Sequence, residues 1–440
     1  MKNIDIQVIS KQSIKPSAST PDHLRHYHLS FLDQIEPTIF IPMIFFYPKQ
    51  ADHINLTKKQ LVDRIKNSLS ESLTLFYPLA GRVKNKLYVE CNDEGACYFE
   101  AEAKCKLSDI LQNPNPHDMN HLLPFELDDV NGLPLIVQVT FFECEGITLG
   151  VGINHEVADG FSFIKFLNTW SALSRGETDF RPPIFGTAKL FPPRDMSGFT
   201  LNFGIVKDNI LAKRFVFDAA KIAALRNRYA EDKDTDNYQK RPTRVEALSA
   251  FIWNRFMVST QPKETRSNKI YTILHAVNIR SRMEPVLAEN YFGNIYSIAV
   301  SVPSMENEDG FEEILKPVKD SINNINPEFV KALQQTDGGH LDFLKQRSTQ
   351  ISKGEVISFR FTSLCRFPVY EADFGWGNPV FAGSARWTFK NLVVFIDTKV
   401  GDGIEAWINL KEEDMAKFEV DEELLEFVSP TLNANKNLIN

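Results

Sequence analysis

The stretch Ile147–Trp170 places the strongest constraint on how this chain can fold. Apolar residues dominate its first seven positions and are interrupted by Gly150 and Gly152, which indicates a buried strand with another backbone or a ligand nearby. From Phe161 onward, apolar residues recur at helical spacing, so a helix is predicted to follow. The polar segment His155–Gly160 therefore lies at a strand-to-helix turn, where rigid elements on both sides can present an ionisable side chain.

His155 and Asp159 are the candidate reactive residues of this turn, four positions apart. A histidine near a strand end is more often structural than catalytic, so the spacing alone defines no site. A zinc site needs a third ligand and a serine hydrolase needs a G-x-S-x-G elbow, and neither an H-E-x-x-H motif nor that elbow occurs. A lone general base remains. It suits transfer from an activated donor such as a thioester, because the enzyme need only deprotonate the attacking hydroxyl.

Length and charge limit the classes of protein to which this chain can belong. Its 440 residues exceed one ordinary core, so two domains are expected. A net charge of −8 argues against a nucleic-acid surface, since phosphate binding needs clustered Lys and Arg.

The cellular location is predicted from three features of the sequence. The first ten residues lack the apolar core of a signal peptide, and the longest apolar stretch, Ile39–Tyr47, is broken by Pro42. The five cysteines include no C-x-x-C pair, which favours neither a zinc site nor a disulfide framework. We therefore predict a cytoplasmic protein with no membrane segment and no bound metal.

The chain is predicted to form two α/β domains joined near residues 180–210. Four prolines between Phe180 and Pro193 indicate a segment without regular structure. The predicted boundaries are an N-terminal domain at 1–200 with about 370–392 added to its sheet, a crossover linker at 201–212, and a C-terminal domain at 213–369 and 393–440.

Local signals predict several turns and helix starts. Thr243–Glu246 is a capping box that opens a helix, and Asp218 can cap another. The strand-like sequences on either side of Asp93–Gly95 are interpreted as a hairpin. Gly401–Ala406 matches a dinucleotide fingerprint in letters, but an alternating strand pattern follows it, so it is predicted to be a hairpin turn.

Asp373–Gly377, with the sequence DFGWG, is the second unusual stretch. Glycines on both sides of Trp376 favour a tight turn that buries the indole. Kinases also contain Asp-Phe-Gly, but no H-R-D loop or Gly-rich phosphate loop accompanies it here. A structural turn is the favoured interpretation, and Cys365 is interpreted as a core cysteine.

Together, the HEVADG and DFGWG stretches resemble the two signature motifs of the plant BAHD acyltransferases. Other segments extend the resemblance along the whole chain: Ile14–Ser17, Leu29–Gln34, Phe76–Arg82, Val277–Arg282 and Tyr291–Asn294. Val89–Asp93 and Phe141–Gly146 look most like the branch that contains vinorine synthase and other alkaloid acetyltransferases, acylsugar acyltransferases and capsaicin-synthase-like proteins.

The resemblance implies two chloramphenicol-acetyltransferase-like domains, each a mixed β-sheet with flanking helices, and an active-site channel between them. Acyl-CoA would enter as a co-substrate from one face and a small-molecule alcohol from the other, with no permanently bound cofactor. The protein is predicted to be a monomer.

The resemblance assigns roles to individual residues. His155 would be the general base, and Thr362 would donate a hydrogen bond to the tetrahedral oxyanion. Asp159 would be structural and pair with Arg280, next to Gly160. The DFGWG residues Asp373, Gly375, Trp376 and Gly377 would shape the CoA side.

Leu364 is a departure from many relatives, which carry Trp after Thr-Ser. It lines the expected acceptor pocket and favours an aliphatic or bulkier acceptor over a flat phenolic one.

The resulting prediction is transfer of an acetyl or short or branched aliphatic acyl group from CoA to a hydroxyl of a plant specialised metabolite, such as an alkaloid or acylsugar. The alternatives are N-acylation by the same family, a non-catalytic binding homologue, and a hydrolase in which His155 activates water.

Overall fold

The computed structural model describes residues 4–49, 56–196, 209–229, 241–261, 269–303, 311–335 and 339–429. In these ranges the strands are β1 (Ile6–Ile14), β2 (His26–His28), β3 (Phe40–Tyr47), β4 (Arg82–Lys84), β5 (Tyr88–Glu90), β6 (Ala96–Ala103), β7 (Leu135–Phe142), β8 (Ile147–Asn154), β9 (Ile184–Phe185), β10 (Ile210–Phe217), β11 (Ile270–Asn278), β12 (Tyr291–Phe292), β13 (Tyr296–Ser301), β14 (Val356–Ser363), β15 (Phe381–Gly383), β16 (Leu392–Asp397) and β17 (Ile404–Lys411).

The helices are α1 (Phe31–Gln34), α2 (Lys58–Leu75), α3 (Leu107–Leu111), α4 (Pro116–Met119), α5 (Gly160–Ser174), α6 (Thr187–Leu190), α7 (Ala219–Arg228), α8 (Arg244–Thr260), α9 (Phe311–Asn323), α10 (Pro327–Gln334), α11 (Gly339–Ser352), α12 (Glu412–Phe418) and α13 (Glu422–Phe427). The described residues also form five 3₁₀ turns: Asp22–Leu24, Tyr77–Ala80, Asn120–Leu122, Arg280–Arg282 and Val369–Glu371.

Two six-stranded sheets organise the molecule. The first has the order β1-β6-β7-β8-β3-β15, and the second has the order β10-β17-β16-β14-β11-β13. Each contains both parallel and antiparallel neighbours: β6 is parallel to β7, whereas β7 and β8 are antiparallel. The predicted α/β class with two mixed sheets is confirmed.

Strand β15 comes from the later part of the chain but pairs with β3 in the first sheet, with Phe381 opposite Phe46. A second link between early and late chain is the short parallel pair of β9 and β12, in which Ile184 lies opposite Tyr291. The two halves of the chain are therefore interleaved.

The predicted hairpin around Asp93–Gly95 is wrong. Strand β5 pairs with β2 and β4 in a separate three-stranded sheet, whereas β6 lies between β1 and β7. The turn is held from elsewhere, because the Asp93 carboxylate accepts hydrogen bonds from the backbone N–H and the hydroxyl of Thr20, at 3.0 and 2.6 Å. Alternation predicted two strands correctly, but it carries no information about which strands pair.

The irregular segment predicted between 180 and 193 contains two short elements, β9 and α6. Residues 201–208 of the predicted linker at 201–212 lie outside the described residues. Its last three residues, Ile210 to Ala212, belong to β10. The remaining domain limits stay predictions.

The helix starts predicted at Thr243 and Asp218 and the turn predicted at Gly401 are confirmed. The Thr243 hydroxyl accepts from the backbone N–H of Glu246, whose side chain accepts from the N–H of Thr243, so the capping box opens α8. Asp218 caps α7, and Gly401 lies in the turn between the antiparallel β16 and β17.

One large hydrophobic cluster centres on each sheet, although the first also includes Val394 and Trp407 of the second sheet, and a third cluster joins the two halves of the chain. That cluster contains Phe31 and Phe191 from the first half of the chain and Val277, Ile295 and Val330 from the second. Contacts across the middle of the molecule are therefore apolar as well as polar. Among the described residues, no helix is long and apolar enough to cross a membrane.

Candidate active site

His155 follows the last residue of β8 directly, in the turn that leads to α5. Its backbone N–H donates to the Ile39 carbonyl at 2.8 Å, and its carbonyl accepts from the Asn294 side-chain amide at 2.7 Å. The main chain at His155 is thus held from both halves of the molecule. The imidazole is 16% exposed, and its Nδ1 is buried.

Asp159 is the N-cap of α5, and its carboxylate accepts the backbone N–H of Ser162 at 2.7 Å. The same carboxylate receives both terminal nitrogens of Arg280, at 2.8 and 3.2 Å, and the N–H of Ile295 at 3.0 Å. Arg280 is only 3% exposed and also donates to the Ser162 hydroxyl. One carboxylate therefore starts the helix and joins the two halves of the chain.

The electrostatics of Asp159 follow from these partners. Burial raises the pKa of its carboxyl, but the charge of Arg280 and the hydrogen bonds from Arg280, Ser162 and Ile295 outweigh burial and hold the pKa below its usual value. Asp159 is thus a fully bonded anion whose lone pairs point at the scaffold.

A cavity of about 330 Å³ lies between the two sheets. Its wall comes from both halves of the chain and is mostly apolar; examples are Ile41, Met43, Leu274, Phe361 and Val394. His155, Asp159, Gly160, Thr362 and Leu364 all line it. Because Nδ1 is buried, Nε2 is the ring nitrogen of His155 left to serve a group bound in the cavity.

Thr362 and Leu364 reach the cavity from the end of β14, in the second sheet. The Thr362 side chain is half-buried, and no described residue makes a hydrogen bond to its hydroxyl. Leu364 packs close to the start of α5, since a Cβ at Gly160 would lie 2.9 Å from its Cδ2 atom. Gly160 therefore allows α5 to approach this side chain.

The DFGWG stretch lies apart from the cavity and packs on the first sheet and α5. The Asp373 carboxylate accepts the N–H groups of Gly375 and Gly377 at 2.7 and 2.9 Å, and both glycines have positive φ, 102° and 105°. The Trp376 side chain is 7% exposed and meets Tyr47 edge to face. The predicted tight turn with a buried indole is confirmed.

Gly150 and Gly152 do not line the cavity. A Cβ at Gly150 would lie 2.3 Å from the Leu122 carbonyl oxygen, and one at Gly152 would lie 2.4 Å from the Phe125 ring. Of the two explanations offered by the sequence, approach of another backbone is the correct one for Gly150.

Sequence reasoning missed Glu36 and Tyr296. The Oε2 atom of Glu36 lies 3.6 Å from Nδ1 of His155, and the Tyr296 hydroxyl donates to the same oxygen at 2.7 Å. The available signal was a lone acidic residue between the short helix α1 and the apolar strand β3. This signal identified no partner for Glu36, because Glu36 and His155 are far apart in the sequence.

In the part of the chain that the structure describes, no group of three or more His, Cys, Asp or Glu side chains could hold a metal ion. A histidine in the wall of a cavity between two mixed sheets, with a threonine of the second sheet in the same wall, is the arrangement expected of a two-domain acyltransferase.

Comparisons with known proteins agree with this class. Residues 4–425 match the family model described as "Transferase family". Stemmadenine O-acetyltransferase of Catharanthus roseus is 38% identical, over 94% of this chain and 96% of that protein. Limonoid 1-O-acetyltransferase of Citrus sinensis is 33% identical, over 97% and 99%. The crystal structure of vinorine synthase superposes with a TM-score of 0.83 at 34% identity, over 97% of this chain and 99% of that one.

The chain belongs to the BAHD family of acyl-CoA-dependent acyltransferases, in the branch that resembles vinorine synthase. It is an acyltransferase enzyme.

Proposed function

We propose that this enzyme transfers an acetyl or other short or branched aliphatic acyl group from acyl-CoA to a hydroxyl of a plant specialised metabolite, such as an alkaloid or acylsugar. The observation that carries the proposal is His155, held from both halves of the chain with its ring at a mostly apolar cavity. The similar proteins include an O-acetyltransferase named for stemmadenine and one named for limonoids. Both names support a hydroxyl as the acceptor.

In the proposed reaction, Nε2 of His155 takes the proton of the acceptor hydroxyl as its oxygen bonds to the thioester carbonyl carbon. The negative charge moves to the carbonyl oxygen of the tetrahedral intermediate, where the Thr362 hydroxyl donates a hydrogen bond, a contribution of about 2.7–4 kcal/mol in comparable sites. Collapse of the intermediate breaks the carbon–sulfur bond, and the proton on Nε2 passes to the departing thiolate.

The other residues act through the scaffold. Asp159 and Arg280 fix the start of α5 and the turn that carries His155. Asp373–Gly377 holds the other end of that helix, since the Phe374 carbonyl accepts from the Ser174 hydroxyl at 2.8 Å. Leu364 forms part of the acceptor wall, where it leaves room that an indole would fill.

The experiment compares His155→Ala with Asp159→Asn in a mass-spectrometric screen of acyl-CoAs against pooled alkaloid, sugar-ester and terpenoid alcohols. His155→Ala should keep the fold and reduce the rate of CoA release by at least about 100-fold, the low end for loss of a general base. Asp159→Asn leaves Arg280 buried with a neutral partner, so it should lower the free energy of unfolding by roughly 3–5 kcal/mol.

The outcomes separate the alternatives. Full activity in His155→Ala would remove the proposed mechanism, and a stable but inactive Asp159→Asn would place Asp159 in the chemistry. Thioester loss without any acceptor would indicate a hydrolase. Product formation with amines alone would indicate an N-acyltransferase. Tight acceptor binding without thiol release would indicate a binding protein. The cytoplasmic location and monomeric state stay predictions.

A further inference from the structure

Glu36 is a buried carboxylate at the wall of the cavity that contains His155. Glu36 is 7% exposed and lies between the C-terminal end of α1 and the start of β3. Burial raises the pKa of the Glu36 carboxyl, against the opposing influence of His155, the Tyr296 hydrogen bond and Lys86. Placing a carboxylate here costs free energy, and a hydrophobic residue would suit the apolar wall better.

The position of Glu36 is closely held. The Tyr296 hydroxyl, from the first residue of β13, donates to Oε2 at 2.7 Å, and the Lys86 ammonium donates to the Glu36 carbonyl at 2.5 Å. The Tyr296 ring lies 6.0 Å from the His155 ring, at an angle of 31°. Three separate segments of the chain thus bring a carboxylate, a phenol and an imidazole together.

Nδ1 of His155 is buried, and among the described residues it has no hydrogen-bond partner. Oε2 of Glu36 lies 3.6 Å from this nitrogen, close enough to pair with the ring whenever the imidazole is protonated. Hydrogen bonds that act in catalysis are often long in the unliganded enzyme and tighten in the complex, and a hydrogen bond here requires a shortening of roughly 0.4–0.9 Å.

We infer that Glu36 is a positioning residue for His155: its carboxylate accepts a hydrogen bond from the Nδ1–H group and leaves the lone pair of Nε2 facing the cavity. This inference rests on the proposed function. It adds a partner that selects the tautomer of the base and stabilises its protonated form during the reaction.

His155 carries one fixed proton and one transferred proton in this reaction. The Nδ1 proton stays on Nδ1 throughout, and Nε2 gains the hydroxyl proton when the acceptor attacks and loses it to the thiolate of CoA. Between these steps the imidazole carries a positive charge, and the Glu36 carboxylate faces that charge directly.

Other charged groups around the pair come from several elements. Asp33 in α1 and Lys86 in the β4–β5 turn act on Glu36, and Asp159 and Arg360 act on Tyr296. Arg280 neutralises Asp159. Glu36 is the carboxylate that faces the ring itself, so its removal should change the chemistry of His155 most strongly.

The kinetic test uses Glu36→Leu and Glu36→Gln with an acyl-CoA and acceptor found in the screen. Glu36→Leu removes charge and acceptor, whereas Glu36→Gln keeps an amide oxygen that can still accept from Nδ1. We expect kcat to fall about 100-fold in Glu36→Leu and about 10-fold in Glu36→Gln, with the KM for acyl-CoA unchanged. Glu36→Asp should recover part of the loss.

The pH profile separates positioning from a purely structural role. Without the carboxylate, the protonated ring is less favoured, so the acid limb of the kcat profile should move to lower pH in Glu36→Gln. A residue that only shapes the wall would change the KM for the acceptor and leave both kcat and its pH profile as in the wild type. That result would overturn the inference.

Glu156→Gln is the matched control. Glu156 is the neighbouring residue of His155 and is buried, but its carboxylate accepts from the Thr38 hydroxyl at 2.5 Å and pairs with Lys86 at 3.1 Å rather than facing the imidazole. Its kcat should stay within about two-fold of the wild type, because the Glu156 side chain does not line the cavity and the new amide oxygen can still accept from the Thr38 hydroxyl.

A tautomer measurement needs no acceptor. Nitrogen-15 NMR of histidine-labelled protein, with the His155 signal identified by its loss in His155→Ala, should show the proton on Nδ1 in the wild type and a mixture of tautomers in Glu36→Leu. An unchanged tautomer in Glu36→Leu would overturn the inference even if the enzyme proves active. Conversely, absence of CoA release in the wild type would count against the proposed function and leave this measurement to decide the pairing.

Discussion

Asp159 shows how one side chain can serve several structural purposes at once. It caps α5 through the N–H of Ser162 and binds Arg280 and Ile295 from the second half of the chain. Because its four hydrogen bonds come from scaffold groups, the carboxylate has no lone pair directed at a substrate proton. His155, four residues earlier, is left as the reactive member of the motif.

His275 is a buried histidine that takes no part in the proposed reaction. It lies in β11 at 4% exposure, stacks on Phe361 with ring centroids 5.1 Å apart, and among the described residues neither ring nitrogen has a hydrogen-bond partner. Burial lowers the pKa of His275 from 6.5 to about 4. The folded protein therefore holds this ring neutral where an unfolded chain would protonate it.

The buried neutral ring of His275 should make the protein less stable at acid pH. Between pH 6.5 and about 4 the unfolded state binds the proton and the folded state does not, so the contribution of His275 to stability falls as the pH falls. Replacement by Phe should remove this loss and raise the free energy of unfolding relative to wild type by roughly 3 kcal/mol on going from pH 7 to pH 4.

Urea unfolding at several pH values measures the difference between the two proteins. Using that difference cancels contributions they share, such as that of Asp33, whose pKa burial raises to about 6. His23→Phe makes the same replacement at an exposed position and serves as the control. A difference between wild type and His275→Phe that does not change with pH would contradict the prediction.

At the scale of elements, α5 is held at both ends. Asp159 and Arg280 fix its first turn. At its other end, Ser174 and Arg175 donate to the backbone carbonyls of Phe374 and Asp373. The two sequence motifs therefore lie at opposite ends of one helix, and DFGWG can affect His155 without touching the cavity.

The Gly375 turn allows a test of this connection. Ala at Gly375 would adopt φ near +102° and place its Cβ 2.5 Å from the Arg64 guanidinium. Stability should fall by roughly 1–2 kcal/mol from the backbone strain, and the rate of CoA release should fall as well, because the end of α5 is loosened.

Gly401→Ala is the matched variant for backbone strain. Gly401 also has positive φ, +85°, but a Cβ there would meet nothing within 4 Å, and the residue lies in the hairpin between β16 and β17. It should lose similar stability, measured by thermal unfolding, and keep the wild-type rate. Equal activity in the two variants would show that the DFGWG turn does not influence the site.

At the scale of the whole molecule, the halves of the chain are tied by strands, charges and apolar packing. Strand β15 completes the first sheet, β9 pairs with β12, and Phe31 and Phe191 pack with Ile295 across the middle. The Asp159–Arg280 ion pair is buried within this junction.

This organisation predicts that the chain can be cut without falling apart. With a protease site inserted between residues 197 and 208, the cleaved fragments should remain together in gel filtration and retain CoA release. Loss of β15 from the first sheet would expose backbone hydrogen-bonding groups and apolar surface, which opposes separation. Separation of the fragments under native conditions would contradict the prediction; the uncut variant is its control.

Much of the local structure was predictable from the sequence. The capping box at Thr243, the strand and helix around His155 and the buried Trp376 turn follow from side-chain periodicity, capping chemistry and glycine conformation. These interactions join residues a few positions apart, so the identities of neighbouring residues are enough to predict them. Family resemblance extended this to the two-sheet fold.

Strand pairing and the surroundings of the base could not be predicted in the same way. Residues around Asp93 have the alternation of a hairpin, yet their strands enter different sheets because backbone hydrogen bonds can be satisfied by any strand of suitable register. Glu36 looked like an ordinary acidic residue before an apolar strand.

For the Ile147–Trp170 segment, the sequence by itself determined a strand, a turn that presents His155, and a helix, since all three depend on local periodicity and capping. Local sequence patterns did not determine what surrounds that histidine: the pairing of Asp159 with Arg280 and the place of Thr362 were expected only from the family resemblance, and Glu36 beside Nδ1 appears only in the tertiary structure. The physical reason is that burial and pairing of charged groups depend on which distant segments pack together, and that choice is made by the free energy of the whole fold.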